Sequence, residues 1–167
     1  MWSEIQKHFI NYPAQLKVAR LLFERGFQVS EDSKVVSGRI EIPHTQIAIE
    51  AEVQRRAVDS TVKTILSVPQ LKRIYTNLRQ ICLLEGVAHS LNLGAIAIIP
   101  KNARQKGLIA KVTQTISEQG LNILQAFAEH PDISPKPKLT IITEQQIPPE
   151  LIIELRKLPE IESIIVY

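Results

Sequence analysis

The apolar positions at the start of the chain recur at helical spacing. Trp2, Ile5 and Phe9 predict a short amphipathic opening helix. A second helix follows: Asn11 can cap it, Pro13 suits its first turn, Gly26 suits its stop, and Leu16, Ala19, Leu22 and Phe23 give it one apolar face. The period then shortens. Val35-Val36-Ser37-Gly38-Arg39-Ile40-Glu41-Ile42 partly alternates and carries β-branched residues, which predicts extended structure or a short hairpin within residues 27–43. Helical spacing returns over 69–85, with Pro69 at the start and Leu71, Ile74, Tyr75 and Leu78 on one face. Ile81-Cys82-Leu83-Leu84 is short and apolar; both a strand and a buried helix end fit it, and Cys82 is expected in the core.

The second half alternates the two periods in a fixed order. Leu93-Gly94-Ala95-Ile96-Ala97-Ile98-Ile99 predicts a strand. Residues 105–119 predict a helix with Leu108, Ile109, Val112 and Ile116 on one face and Gly120 as its stop. Strands are expected at 121–128 and 138–143. Pro148-Pro149 opens a helix bearing Leu151, Ile152, Leu155 and Leu158, and residues 161–167 form a last strand. The order is βαββαβ, a ferredoxin-like antiparallel sheet with two helices on one face.

One stretch of the first half carries a more specific pattern. Ile47, Ala48 and Ala51 can bury one side of a short helix, Val58, Val62, Ile65 and Leu66 one side of a second, and Val53 falls between them. Small Ala48 lets the two helices approach closely. The spacing resembles the helix-turn-helix of DNA-binding regulators, with Glu52 at the turn position that is often Gly. In that arrangement the second helix reads DNA, and the candidate DNA-binding residues are Gln54, Arg55, Arg56, Ser60 and Lys63. Arginine can donate two hydrogen bonds to a guanine edge and lysine can neutralise phosphate. Arg55 and Asp59 also have the spacing of a surface salt bridge, and two-helix turns serve protein contacts as well.

In the second half, Lys101-Asn102-Ala103-Arg104-Gln105-Lys106-Gly107-Leu108, followed by Gly120-Leu121-Asn122-Ile123, resembles the ACT domain family over residues 93–167. The resemblance implies a dimer whose sheets pair edge to edge and a small effector, an amino acid, held between subunits. The implied ligand-binding residues are Asn102, Arg104, Gln105, Lys106, Gly107, Leu108 and Asn122. Free N–H groups at a helix start attract a carboxylate, and Gly107 removes a side chain there. Lys106 stands where the family usually has Pro. Gly107 as a backbone necessity and Asn122 as a turn residue remain the plainer readings. The whole chain, through Tyr12-Pro13-Ala14-Gln15-Leu16-Lys17-Val18-Ala19, Gln54-Arg55-Arg56-Ala57-Val58 and Pro137-Lys138-Leu139-Thr140-Ile141-Ile142-Thr143-Glu144, resembles predicted regulators of amino-acid metabolism, mostly archaeal, with a C-terminal ACT domain.

Composition narrows the field further. The 167 residues are 44% apolar and 22% charged, as expected for one or two globular domains. The net charge of +3 lies wholly before residue 91, densest in 53–79, where Arg55, Arg56, Lys63, Lys72, Arg73 and Arg79 face only Asp59. No apolar run approaches the ~18 residues of a membrane span. No signal segment is visible and the single Cys82 excludes a disulfide within the chain, so a cytoplasmic address is expected. Glu129-His130-Pro131-Asp132 has no second His nearby and reads as a solvated loop, so no metal or cofactor is expected. No nucleophile–base spacing is present, and the chain is not expected to be an enzyme. The expected organisation is therefore α+β: a helix-turn-helix unit over 1–85, a linker at 86–92 and an ACT-type domain over 93–167. It implies a regulator with DNA and an effector as partners. The alternative is a regulatory subunit that dimerises through its ACT domain and controls a metabolic enzyme without touching DNA.

Overall fold

The apolar stripes converge on separate cores in two units. A computed structural model describes residues 1–167. Met1–Cys82 forms the first unit and Leu83–Tyr167 the second. The chain is α+β.

In the first unit, α1 (Trp2–Gln6) and α2 (Pro13–Arg25) lead into a small antiparallel sheet of β1 (Gln28–Val29), β2 (Val35–Ser37) and β3 (Ile40–Ile42), in the order β1-β2-β3. Three helices follow: α3 (His44–Glu50), α4 (Arg55–Ser67) and α5 (Pro69–Tyr75). Helix α4 is the hub, packed against α2, α3 and α5. Trp2, Ile5, Phe9, Leu22, Val58, Ile65, Leu71 and Tyr75 are buried around it. An aromatic chain ties three helices together: Trp2 lies 5.6 Å from Phe23, and Phe23 lies 6.5 Å edge-on from Tyr75. The Tyr75 hydroxyl, deep in the core, donates to the Ala19 carbonyl of α2 at 2.8 Å. Burial alone pushes its pKa well above the usual phenol value.

Several expectations need correction here. The N-cap of α2 is Tyr12 rather than Asn11, and no side chain caps it; Pro13 carries the start. The helix expected over 69–85 ends at Tyr75, and Thr76 and Asn77 turn their side chains back onto its last carbonyls. Beyond it the chain runs without regular structure along the first unit. Its carbonyl at Arg79 lies where a Cβ on Gly26 would be, 2.6 Å away, while Gln80 accepts a hydrogen bond from Ser37. Ile81 and Cys82 are exposed, so Cys82 is not a core residue: no strand or helix forms over residues 81–84.

The second unit has a four-stranded antiparallel sheet of β4 (Gly94–Pro100), β5 (Ile123–Ala128), β6 (Leu139–Thr143) and β7 (Ile161–Val166), in the order β5-β6-β4-β7. Helices α6 (Leu108–Glu118) and α7 (Pro149–Arg156) interrupt the strands to give the order βαββαβ. One sheet face, with Ile96, Ile98 and Ile141, packs against Val112 and Ile116 of α6 and Leu151 and Leu155 of α7. Ile109, expected on the inner face of α6, is 49% exposed; Gly107 is left-handed, so the helix begins at Leu108 rather than near 105.

The other face of the sheet is covered in part. Residues 86–92, read as a linker, carry the 3-10 turns Glu85–Val87 and His89–Leu91. Ala88 packs there against Ala95 and Ile142, joined by Leu84 and Leu93. Alternation explains the difference: Ala95, Ala97 and Ile142 point away from the helices and still need a cover. A polar latch holds that cover. Lys138 donates to Glu85 at 2.7 Å and to the Tyr167 hydroxyl at 3.1 Å, while Thr140 donates to the same Glu85 oxygen. Glu85 raises the Lys138 ammonium to about 12. Burial pushes the Glu85 carboxyl up, but hydrogen bonds from Lys138 and Tyr167 outweigh it and hold the group below its ordinary value.

Gly26→Ala should lower stability by about 1–3 kcal/mol in urea unfolding, because the position combines a φ of +64° with contact against the Arg79 carbonyl. The folded Glu85 carboxyl is depressed, so its stabilisation is complete above the ordinary value of 4.5 and is lost as the pH falls through the folded value. Glu85→Gln should therefore flatten the stability-versus-pH curve in that acidic window, and a curve parallel to that of the parent would contradict the latch.

Candidate functional site

The path from α3 to α4 sets the geometry of the basic face. Helix α3 ends at Ala51, and Glu52 takes a left-handed backbone with φ +53°. The Val53 N–H donates to the Ala48 carbonyl at 2.9 Å and the Glu52 N–H to the Ile49 carbonyl at 3.1 Å. This pair of bonds closes a Schellman-type helix end, normally built on Gly. The turn therefore keeps the shape a glycine would give, with Glu52 bearing the strain. Ala48, 5% exposed, lies on the side of α3 that packs on α4. Gln54 is extended and starts α4 without lending its side chain to the cap, so its amide stays exposed.

Helix α4 buries Val58, Thr61, Val62 and Ile65. At 100° per residue the opposite line is Arg56, Ser60, Lys63 and Ser67. Arg56 and Lys63 are exposed and their side chains have no partner, while Ser60 is half-buried. Arg55 and Asp59 lie on the flank that faces α3. Asp59 accepts a hydrogen bond from His44 Nδ1 at 2.6 Å, which requires the proton on that nitrogen, and Arg55 stands 3.9 Å from the other Asp59 oxygen. On the opposite flank Thr64 donates to Gln15 of α2 at 3.3 Å. Of the five sequence-predicted residues, Arg56, Ser60 and Lys63 share the outward side of α4 and Gln54 its start, while Arg55 lies on the flank beside Asp59 and is partly neutralised.

One cation was missed by the sequence reading. An open depression beside the turn is lined by Pro13, Ala14 and Lys17 of α2 and by Glu52, Gln54 and Arg56. Lys17 is exposed and unpaired, like Arg56. Its place in a different helix, 35 positions before Glu52 of the turn, gives no hint in the sequence that it joins this face.

The loop of the second unit is more heavily engaged than expected. Asn102 Oδ1 accepts from the Arg104 N–H at 3.0 Å, and the Gln105 N–H donates to the Asn102 carbonyl at 3.1 Å, a self-contained turn. The Arg104 guanidinium pairs with Asp132 and holds that carboxyl below its usual range. The Asp132 N–H in turn donates to His130 Nδ1 at 3.2 Å, and no group of acidic, His or Cys side chains there is arranged to hold a metal. Gly107, at φ +85°, is the N-cap of α6, and a Cβ there would meet nothing within 4 Å. Its glycine therefore answers to backbone conformation, not to a shortage of space. The Leu108 side chain belongs to the core. Gln105 and Lys106 are exposed and unpaired.

Asn122 is not brought to this loop within one chain. It donates to Glu144 at 3.2 Å beside the Gly94–Thr143 end of the sheet, whereas the loop leaves the Pro100 end. Six strand steps, roughly 20 Å, separate the two.

No family model and no curated protein matches the chain. Among solved structures it is similar to the crystal structure of an AsnC family transcriptional regulator from Agrobacterium tumefaciens, at 11% identity and a TM-score of 0.27, over 93% of this chain and 87% of that one. A likeness at that level fixes neither fold nor function.

The left-handed turn gives a direct stability test. Glu52→Gly should raise stability by about 0.5–1 kcal/mol in thermal or urea unfolding, since glycine removes the Cβ strain of the left-handed region. A loss would show that the Glu52 side chain has a structural role beyond its backbone.

Proposed function

We propose that this chain is a transcription regulator that binds duplex DNA through α3 and α4 as a helix-turn-helix. In this reading the second unit is a ferredoxin-like ACT-type domain that binds a small effector and pairs two copies of the chain. The observation that carries the reading is the outward line of α4: Arg56 and Lys63 are exposed, unpaired and aligned with Ser60, while Gln54 is free at the helix start. An enzyme-controlling subunit would instead pair or bury these cations against its partner protein, whereas a DNA reader holds them in solvent until phosphate and base edges meet them, which is how they stand in the first unit. Residues near the start of a recognition helix reach base edges in the major groove, where arginine donates twice to guanine.

The effector half of the proposal rests on the loop before α6. The first-turn N–H groups of α6 have no side-chain cap, and Gln105 and Lys106 stand free beside them. That set suits a carboxylate with adjoining polar groups, as an amino acid would offer. Because Asn122 lies at the far end of the sheet, its part in the same site requires a second chain, which ties effector binding to dimerisation. Ligand and DNA affinities would then be linked through the dimer.

The DNA reading predicts that binding to a mixed-sequence duplex of about 30 base pairs weakens steeply with salt, as counterion release demands. Arg56→Ala with Lys63→Ala should lower affinity at least tenfold and flatten the logarithmic salt slope by about 1, the share of the phosphate-facing lysine. Unchanged affinity in the double variant, with its fold intact, would refute the assignment of this face. For the effector, thermal unfolding with each of the common amino acids should show a selective rise in midpoint, since a ligand bound to the folded state stabilises it. The rise should be lost with Asn122→Ala if the site spans two chains; no rise with any of them would remove the sensor from the proposal.

A further inference from the structure

Lys17 lies outside the helix pair proposed to bind DNA, yet folding places it on the same depression as Arg56 and Gln54. Helix α2 is held in that position by the core. Val18 and Ala19, the residues after Lys17, are fully buried, α2 packs on α4, and Gln15 accepts from Thr64 of α4 at 3.3 Å. Lys17 is thus a cation on a fixed platform beside the start of α4 rather than a solvated lysine on an independent helix. It differs from its neighbours on α2 in being unspent: Arg20 pairs with Glu24 and Arg25 with Glu50, whereas Lys17 has no carboxylate partner. The depression carries one opposing charge, Glu52 of the turn.

Resting on the DNA reading above, we infer that Lys17 contacts a backbone phosphate of the duplex and sets the register with which α4 enters the groove. A lysine ammonium is a compact, flexible point charge, suited to phosphate rather than to a base edge, while the arginine beside it suits base recognition. The two cations of the depression therefore divide the work. Lys17 from α2 contributes affinity that is independent of sequence, and Arg56 from α4 contributes sequence preference. Glu52 opposes the phosphate from the turn.

The test uses the full chain and two DNA probes, the mixed-sequence duplex and the sequences enriched by the protein from a random pool. Lys17→Ala should weaken binding about three- to tenfold on both probes, reduce the logarithmic salt slope by about 1 and leave the preferred sequence unchanged. Lys17→Arg should restore both affinity and slope. Glu52→Gln should tighten binding to the mixed-sequence duplex, and Arg56→Ala should alter the enriched sequence. Lys17 is exposed, so thermal unfolding of the variants should match the parent. If the parent binds DNA but Lys17→Ala leaves affinity and slope as they were, the phosphate contact is wrong and the DNA reading stands. A change in preferred sequence with Lys17→Ala would also overturn it, placing Lys17 on a base. If the parent retains no duplex at any salt concentration, the DNA reading itself fails and the Lys17 contact fails with it.

Discussion

The basic face depends on the turn between α3 and α4. A helix that ends in a left-handed residue can reverse direction within two or three positions, and here that residue is Glu52. The Val53-to-Ala48 and Glu52-to-Ile49 bonds then fix where α4 begins. Once that start is fixed, the buried line Val58, Thr61, Val62 and Ile65 fixes the rotation of α4 about its axis. The same rotation turns Arg56, Ser60 and Lys63 outward and leaves Asp59 to be held by His44. Strain at one backbone position and burial at four others thus decide which charges meet solvent. The cost of a non-glycine left-handed residue, of order 1–2 kcal/mol, is small beside the burial of the α4 core residues, about 1.5–3 kcal/mol each.

The second unit is organised by a sheet that needs a cover on each face. Two helices cover one side, as alternation within β4 requires, and the segment before β4 covers part of the other. Its ionic latch, Glu85 with Lys138 and Tyr167, lies on residues far apart in sequence and converts a stretch that looks like a connector into part of the fold. The polar loop before α6 is partly consumed by its own fold: Arg104 is committed to Asp132, and Asn102 to the turn. Under the proposed effector reading, the groups left over are Gln105, Lys106 and the first N–H groups of α6, with Asn122 supplied by a second chain.

Strong periodicity made most elements legible before any coordinates. The βαββαβ order, the short hairpin, and the opening of α2 and α5 at proline all follow from spacing and from residues with few conformational options. The misreadings have physical causes. Ile81-Cys82-Leu83-Leu84 is apolar enough to be buried, but apolarity does not supply a partner surface: the chain has just passed Gly26 at Arg79 and Gln80, Ile81 and Cys82 meet solvent, and Leu84 alone reaches a core, beside Ala88 and Ile142. Ile109 fits the helical stripe of α6 only at its margin, 100° from Leu108, and the buried line Leu108, Val112 and Ile116 leaves it half in solvent. Residues 86–92 look like a linker because their few apolar side chains, Ala88 above all, show their use only against Ala95 and Ile142. In the candidate DNA face, the cations of α4 were readable because they lie on one helix, whereas Lys17 joins them only through tertiary packing.

Backbone amide NMR of the 167-residue chain, titrated with a short duplex at low salt, decides whether the outward side of α4 meets DNA. Shifts should concentrate at Gln54, Arg56, Ser60 and Lys63 and extend to Lys17, with the β4 and β6 strands of the second unit unmoved. Shifts confined to the second unit, or none under conditions of low salt, would contradict that contact.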